Sequence, residues 1–357
     1  MKKILIIDDS ALMRRVLSDI IEETDEYKVS YTAENGKEGL EILRLQQDIE
    51  VVLCDINMPQ MGGLELLTAA KQENIQVPFI MISSSQDASD TISALELGAV
   101  EFIKKPYNVF AKTNALFRGR LLNAIRIAAD IKARNDGVVS PAVPGKRKQA
   151  DGMRRKKDYV PVEGRRKLVA LVSSTGGPRA LQQVIPKLPG NLAAPVLVVQ
   201  HMPAGFTGTL AARLNQLSAV SVKEAENCET ILPGNVYIAK GGMHLTVEHN
   251  KGDNARIALD DSAPVVGLKP CGNNMYLSLR GAAYDEIVCV VLTGMGADGT
   301  KGIRELSKHN HIFVIAQNEE SSTVYGMPRA IYESGLTDVV CDIHEIADEI
   351  VKKVGVL

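Results

Sequence analysis

Short apolar runs recur along the chain, and longer stretches of mixed polarity separate them. In the first third they fall at Ile4–Ile7, Val29–Thr32, Val51–Cys54, Phe79–Ile82 and Glu101–Ile103. Runs this short, rich in Ile and Val, predict buried strands, and the stretches between them carry helical spacing. The clearest helix begins after Asp9, with Ser10 as N-cap and Leu12, Val16 and Ile20 at a spacing of four. Such alternation predicts a doubly wound parallel sheet of five strands. The pattern then lapses and restarts, with runs at Leu168–Val172, Val196–Gln200, Ile287–Leu292, Ile312–Ile315 and Asp338–Val340. Between the second and third of these lie Gly234–Lys240, His244–Glu248 and Arg256–Leu259, which predict an antiparallel hairpin region beside the parallel sheet. The fold class is therefore α/β, with two doubly wound domains at 1–127 and 168–357 joined by a linker at 128–167.

Composition sharpens this picture in three places. Of 357 residues 45% are apolar and none is Trp, so both cores rest on Ile, Leu, Val, Met and Ala. No apolar run approaches the ~18 residues of a membrane span. The N-terminus reaches Asp8 and Asp9 too soon for a signal peptide. The five cysteines are widely spaced, with no Cys-x-x-Cys and no zinc-type spacing, which points to a reducing compartment, the cytoplasm. The net charge of −2 hides twelve Lys and Arg against four Asp and Glu in 132–167. Gly, Pro and charge replace apolar periodicity there, so this is a solvated linker suited to steering toward an acidic partner. It has neither the aromatic interleaving nor the groove-reading helix of a nucleic-acid binder.

Polar residues collect at the carboxyl ends of four of the first five strands: Asp8 and Asp9 after the first, Asp55 after the third, Ser83 after the fourth, and Lys105 before Pro106 after the fifth. Taken singly, Asp8-Asp9 could cap a helix and Lys105-Pro106 could be an ordinary turn. Together they put three carboxylates at one sheet edge, which repel unless a cation sits among them. Oxygen donors without sulfur or a His cluster favour Mg²⁺ over zinc. A divalent ion, a lysine and a hydroxyl are the equipment for placing a phosphoryl group on a carboxylate.

Four motifs, Ile-Asp-Asp-Ser10, Cys-Asp-Ile-Asn-Met-Pro-x-Met-Gly-Gly63, Met-Ile-Ser83-Ser and Ile-Lys-Lys-Pro106, resemble the flavodoxin-like receiver domain of two-component response regulators. The resemblance implies that Asp55 accepts the phosphoryl group. It implies Mg²⁺ held by Asp9, Asp8, Asp55 and the main-chain carbonyl of Asn57. Ser83 and Lys105 would contact the phosphoryl group, Phe102 would switch rotamer, and Lys104 would point away.

In the second unit Leu168-Val-Ala-Leu-Val-Ser-Ser-Thr-Gly-Gly-Pro178 runs from strand to helix through a sharp turn. Such serines often do no more than cap a helix. Other strand ends nevertheless carry Gln200-His201-Met-Pro203 and Thr293-Gly-Met-Gly-Ala-Asp298-Gly. Asp298 could cap a helix and His201 could be a core histidine. If Ser174, His201 and Asp298 converge, they form a nucleophile, a base and its orienter. The glycines around Met295 would then turn main-chain N–H groups toward an oxyanion. Val172 stands where the common hydrolase elbow has Gly, so that motif is absent, and Ser173 is a rival to Ser174.

Ser-Ser-Thr-Gly-Gly177, Val-Gln-His-Met-Pro203, Pro-Gly-x-Val-Tyr-Ile-Ala239 and Thr-Gly-Met-Gly-x-Asp-Gly299 resemble the chemotaxis receptor methylesterases, in both domains and in their order. The resemblance implies a Rossmann-like hydrolase needing no cofactor of its own, with Ser174 as nucleophile, His201 as base and Asp298 as its orienter. Thr175 would hold the histidine, and the Met295 N–H would serve the oxyanion hole. The implied reactions are hydrolysis of glutamate γ-methyl esters on methyl-accepting chemotaxis receptors, releasing methanol, and deamidation of particular glutamines. The receiver, phosphorylated by the chemotaxis histidine kinase, would relieve inhibition of the hydrolase. Two alternatives stand beside this reading: a serine hydrolase acting on another modified protein, and a second domain that binds a partner without chemistry.

Overall fold

The computed structural model describes residues 1–83, 88–106, 115–135, 166–248 and 255–357. They form two compact units, dividing between Lys148 and Gln149. The basic segment 136–165 lies outside the described residues, as do 84–87, 107–114 and 249–254. Position 127, the expected end of the first unit, falls inside a helix that runs from Ala115 to Asn135.

The first unit contains β1 (Lys2–Ile7), β2 (Tyr27–Ala33), β3 (Ile49–Asp55), β4 (Phe79–Ser83) and β5 (Glu101–Lys104). They pair in the order β2-β1-β3-β4-β5, all parallel. This is the flavodoxin-like order, whose direction reverses between β1 and β3. Strands β1 and β3 are covered on both faces: Ile4, Leu5, Ile6 and Ile7 of β1 and Val51, Val52, Leu53 and Cys54 of β3 are each 0% exposed. Unbroken apolar runs are what two covering helical layers require.

Ser10 caps the first helix, Ala11–Glu22, accepting from Met13 N–H. The buried stripe on that helix is Met13, Leu17 and Ile21, while Leu12 is 43% exposed. The expected stripe, Leu12-Val16-Ile20, is one residue out of phase. Two adjacent apolar rows at a spacing of four cannot be told apart by periodicity, and packing on the sheet selects one.

The second unit contains β6 (Lys167–Ser173), β7 (Val196–Gln200), β8 (Ser221–Glu224), β9 (Asn235–Ile238), β10 (His244–Glu248), β11 (Arg256–Asp260), β12 (Glu286–Val291), β13 (Ile312–Gln317) and β14 (Val339–Cys341). Seven of them form one sheet in the order β14-β13-β12-β6-β7-β9-β8, every pair parallel. Among the described strands, β10 and β11 make the one antiparallel pair. The excursion is therefore smaller than the sequence suggested. Its first run, Gly234–Lys240, supplies β9 to the main sheet, and the polar strand β8 joins it at the edge. From β6 the chain winds one way through β7, and from β12 the other way through β13 and β14. The reversal falls between β6 and β12, the place where open α/β sheets bind ligands.

The first helix supplies a test of its packing. Leu17→Ala lowers the unfolding free energy of the first unit by about 3 kcal/mol, and Leu12→Ala by under about 1 kcal/mol. Urea titration followed by circular dichroism measures both. Equal losses would contradict the assigned stripe.

Candidate active site

Strand register brings the second-unit residues together. Ser173 lies level with Gln200 across β6 and β7, so Ser174 and His201 leave the sheet side by side. The His201 N–H donates to the Ser173 carbonyl at 3.1 Å. On the other flank Val172 is level with Val291 of β12, and the Ser174 N–H donates to the Thr293 carbonyl at 3.0 Å. Ser174 thus leaves the sheet between the ends of β7 and β12.

The turn after Ser174 depends on two glycines. Gly176 has φ +76°, and a Cβ there would overlap Thr323 Oγ1. A Cβ on Gly294 would sit 2.7 Å from Ser174 Cβ. The two serines have different fates. Ser173 is 0% exposed and donates to Gln200 Oε1 at 2.6 Å. Gln200 Nε2 donates in turn to the Ser174 carbonyl at 2.9 Å. Ser173 is therefore consumed in the scaffold, whereas the Ser174 hydroxyl is half-buried and makes no hydrogen bond among the described residues.

His201 Nε2 lies 2.8 Å from Asp298 Oδ2. That carboxylate is 6% exposed and is saturated with donors. Gly272 N–H reaches Oδ2 at 2.5 Å, Asn273 N–H and Gly299 N–H reach Oδ1 at 2.9 Å, and the Cys271 thiol reaches Oδ1 at 3.2 Å. Burial pushes the Asp298 carboxyl up, but the bond and charge of His201 and these N–H groups outweigh it and bring its pKa to about 2. Burial and the neighbouring Asp298 push the Cys271 thiol up to about 12, so it stays a protonated donor. With Asp298 ionised, Nε2 carries the ring proton and Nδ1 is left as the basic atom. Nδ1 accepts no hydrogen bond among the described residues.

Thr175 is buried behind the turn, its carbonyl accepting from Thr293 Oγ1 at 3.0 Å. Met295 projects on the loop after β12, and its N–H has no acceptor among the described residues. Cys271 to Asn273, which hold Asp298, escaped the sequence reading. No motif flags main-chain donors, and Cys271 lies 27 residues from the carboxylate it meets.

In the first unit the strand ends also converge. Asp8, Asp9 and Asp55 each offer a carboxylate oxygen, all within 4.8 Å of one another. Lys105 Nζ lies 2.6 Å from Asp55 Oδ2 and 3.0 Å from Asp8 Oδ2. Asp8 Oδ2 is buried with Lys105 as its charged neighbour, so three clustered carboxylates share one lysine and leave negative charge that a cation would neutralise. The all-oxygen donor set suits Mg²⁺. Burial pushes the Asp55 carboxyl up, Asp8 adds to this, and Lys105 only partly offsets it, leaving a pKa of about 6. Burial pulls the Lys105 ammonium down, but Asp55 and Asp8 hold it above its ordinary value. Phe102 is 8% exposed on β5, and Asn57 is exposed on the loop after β3. Ser83 ends β4, and its side chain lies outside the described residues.

A parallel sheet ending in clustered carboxylates, followed by an α/β unit with a histidine–carboxylate pair beside an unbonded serine, has the architecture of a response regulator with an enzymatic output. Comparison with known proteins makes this specific. Residues 4–115 match the response regulator receiver domain, and residues 169–350 match the CheB methylesterase. A protein-glutamate methylesterase/protein-glutamine glutaminase of Bacillus licheniformis is 40% identical over 97% of each chain. Its counterpart in Bacillus subtilis is 38% identical over 98% of each. The crystal structure of the Thermotoga maritima CheB methylesterase catalytic domain is 40% identical, with a TM-score of 0.50, and covers 54% of this chain and 99% of that one. The chain belongs to the CheB methylesterase family, with its receiver domain.

The two site carboxylates predict opposite pH behaviour. The Asp55 pKa is raised above the ordinary carboxylate value near 4, so its contribution to stability is full below about pH 4 and is lost as pH rises through about 6. The Asp298 pKa is depressed, so its contribution is present above about pH 4 and is lost as pH falls toward 2. In metal-free buffer at pH 8, Asp55→Asn stabilises the first unit by about 1 kcal/mol, and the margin closes by pH 4. Denaturant titrations at both pH values measure it, and a margin independent of pH would contradict the burial of a charged Asp55.

Proposed function

We propose that the chain is a phosphorylation-activated serine hydrolase that removes methyl esters from glutamate side chains and deamidates particular glutamines of chemoreceptors in the cytoplasm. The observation that supports this reading is the shared register of β6 and β7, from which Ser174 and His201 leave the sheet at adjacent strand ends, with His201 bonded to a buried carboxylate.

Ser174 Oγ attacks the γ-carbonyl carbon of the substrate as His201 Nδ1 takes its proton. Asp298 keeps Nε2 protonated and stabilises the imidazolium. The ring nitrogens thus exchange the roles they hold in the chymotrypsin-type triad. The Met295 N–H faces the developing oxyanion, an interaction worth about 3 kcal/mol in the transition state. Collapse of the tetrahedral intermediate expels methanol from an ester, or ammonia from an amide, with the proton from Nδ1. Water, deprotonated by the same nitrogen, then hydrolyses the acyl-enzyme and restores Ser174.

In the receiver, Asp55 accepts the phosphoryl group from a histidine kinase, and Lys105, already 2.6 Å from its Oδ2, follows the new charge. Asp8, Asp9, Asp55 and the Asn57 carbonyl would hold Mg²⁺, which when bound neutralises charge on the transferring group. Phe102 and Ser83 are the switch positions.

Methanol release from methylated receptor membranes tests the hydrolase. Ser174→Ala lowers it by about 10³-fold or more, and Ser173→Ala, which leaves the nucleophile in place, lowers it far less. The opposite order would move the nucleophile to Ser173. Adding acetyl phosphate with Mg²⁺ raises the rate of the native chain, and Asp55→Asn abolishes that rise. A rise that persists in the variant would sink the switch assignment.

A further inference from the structure

One cavity of the second unit opens beside the Ser174 turn and is not used by the reaction as described. It has a volume of about 200 Å³, and its lining includes Gly176, Arg179, Gln183, Ser321, Thr323 and His344. Gly176 and Thr323 are the pair in close contact behind the nucleophile, so the cavity adjoins the turn that presents Ser174. No Asp or Glu lines it.

Arg179 is the charged group of this cavity. It is exposed and has no carboxylate partner among the described residues. Its position is also unfavourable for the helix that carries it. That helix, Gly177–Val184, has Arg179 as its third residue and no acidic residue in its first turn. A cation there faces the positive end of the helix dipole, which is unfavourable. Among the described residues Arg179 therefore contributes neither an ion pair nor helix stability, and it lines a cavity with no carboxylate beside it.

We infer that Arg179 is a specificity-determining residue that binds a carboxylate of the protein substrate lying near the scissile ester in sequence. The inference rests on the hydrolase reading of Ser174. A guanidinium presents a planar fork that matches a carboxylate in bidentate fashion. A cavity of this size accepts one Asp or Glu side chain. The consequence is selection among ester sites: those with an acidic neighbour at the matching offset are cut faster, although the ester itself is identical. Arg179 does not touch the reacting atoms, so its effect appears in KM and not in kcat.

A peptide series tests this with the full chain. Each peptide carries one glutamate γ-methyl ester and a single glutamate, moved from four residues before the ester to four after, against a carboxylate-free control. At one or more offsets kcat/KM exceeds the control by about fivefold, through KM. Arg179→Ala erases that gain, and Arg179→Glu transfers it to a peptide bearing lysine at the same offset. The inference is overturned if no offset gains, if the gain survives Arg179→Ala, or if Arg179→Ala lowers kcat equally for every peptide, which would mark a structural role in the Ser174 turn. Failure of the native chain to hydrolyse any peptide or methylated receptor membranes would instead overturn the hydrolase reading, and the inference with it.

Discussion

The second unit is organised around a charge that cannot leave. Asp298 is buried where an unpaired carboxylate would be costly, so every donor that surrounds it becomes obligatory. Three main-chain N–H groups, a thiol and the His201 ring meet that requirement. Each donor fixes a piece of chain: Cys271 to Asn273 at the start of one helix, Gly299 before another, and His201 at the end of β7. One buried charge thereby ties three loops from distant parts of the sequence to one point. Replacing the carboxylate with an amide would introduce a donor where five donors already point, so the loss would reach beyond the histidine.

Around this fixed point the neutral hydrogen bonds have a different task. Gln200 joins the Ser173 hydroxyl to the Ser174 carbonyl, and Thr293 joins the Thr175 carbonyl to the loop at Val324. These bonds hold main chain on both sides of Ser174 while leaving its hydroxyl without a hydrogen bond among the described residues. A nucleophile needs this combination: a rigid backbone, and an oxygen not already engaged as a donor to the scaffold. The same network explains why only one of two adjacent serines is available. Alternation along β6 turns Ser173 toward the buried Gln200.

The sheet strands were legible because parallel strands buried on both faces are written as unbroken Ile and Val runs. Where burial is one-sided, legibility failed. The buried stripe on the first helix lies one residue from the expected one, since Leu12 and Met13 both head apolar rows, and only the packed structure distinguishes them. Strand β8, Ser-Val-Lys-Glu, is a polar edge strand with no apolar run to announce it. The run at Gly234–Lys240 is apparent in the sequence but its parallel direction is not, because pairing orientation is not encoded in one strand's own sequence. At the site, His201 and Asp298, which the fold pairs, stand out in the sequence by their chemistry. The main-chain donors to Asp298 do not, since any residue type supplies an N–H and the fold alone aims it.

The two units use one architectural device, polar residues at strand ends beside a reversal of strand order, to opposite electrostatic effect. At Asp55 burial and a second carboxylate outweigh one lysine, and the pKa rises to about 6. At Asp298 burial is outweighed by donors, and the pKa falls to about 2. A carboxylate held with more negative charge than its surroundings neutralise has reason to engage a cation, and in the proposed reaction it is the one that takes up a new group. A carboxylate with every lone pair engaged stays a permanent anion, which suits a residue that must hold a ring in one tautomer through a catalytic cycle. Two aspartates of the same intrinsic acidity thus receive different roles from the number of donors the fold aims at them.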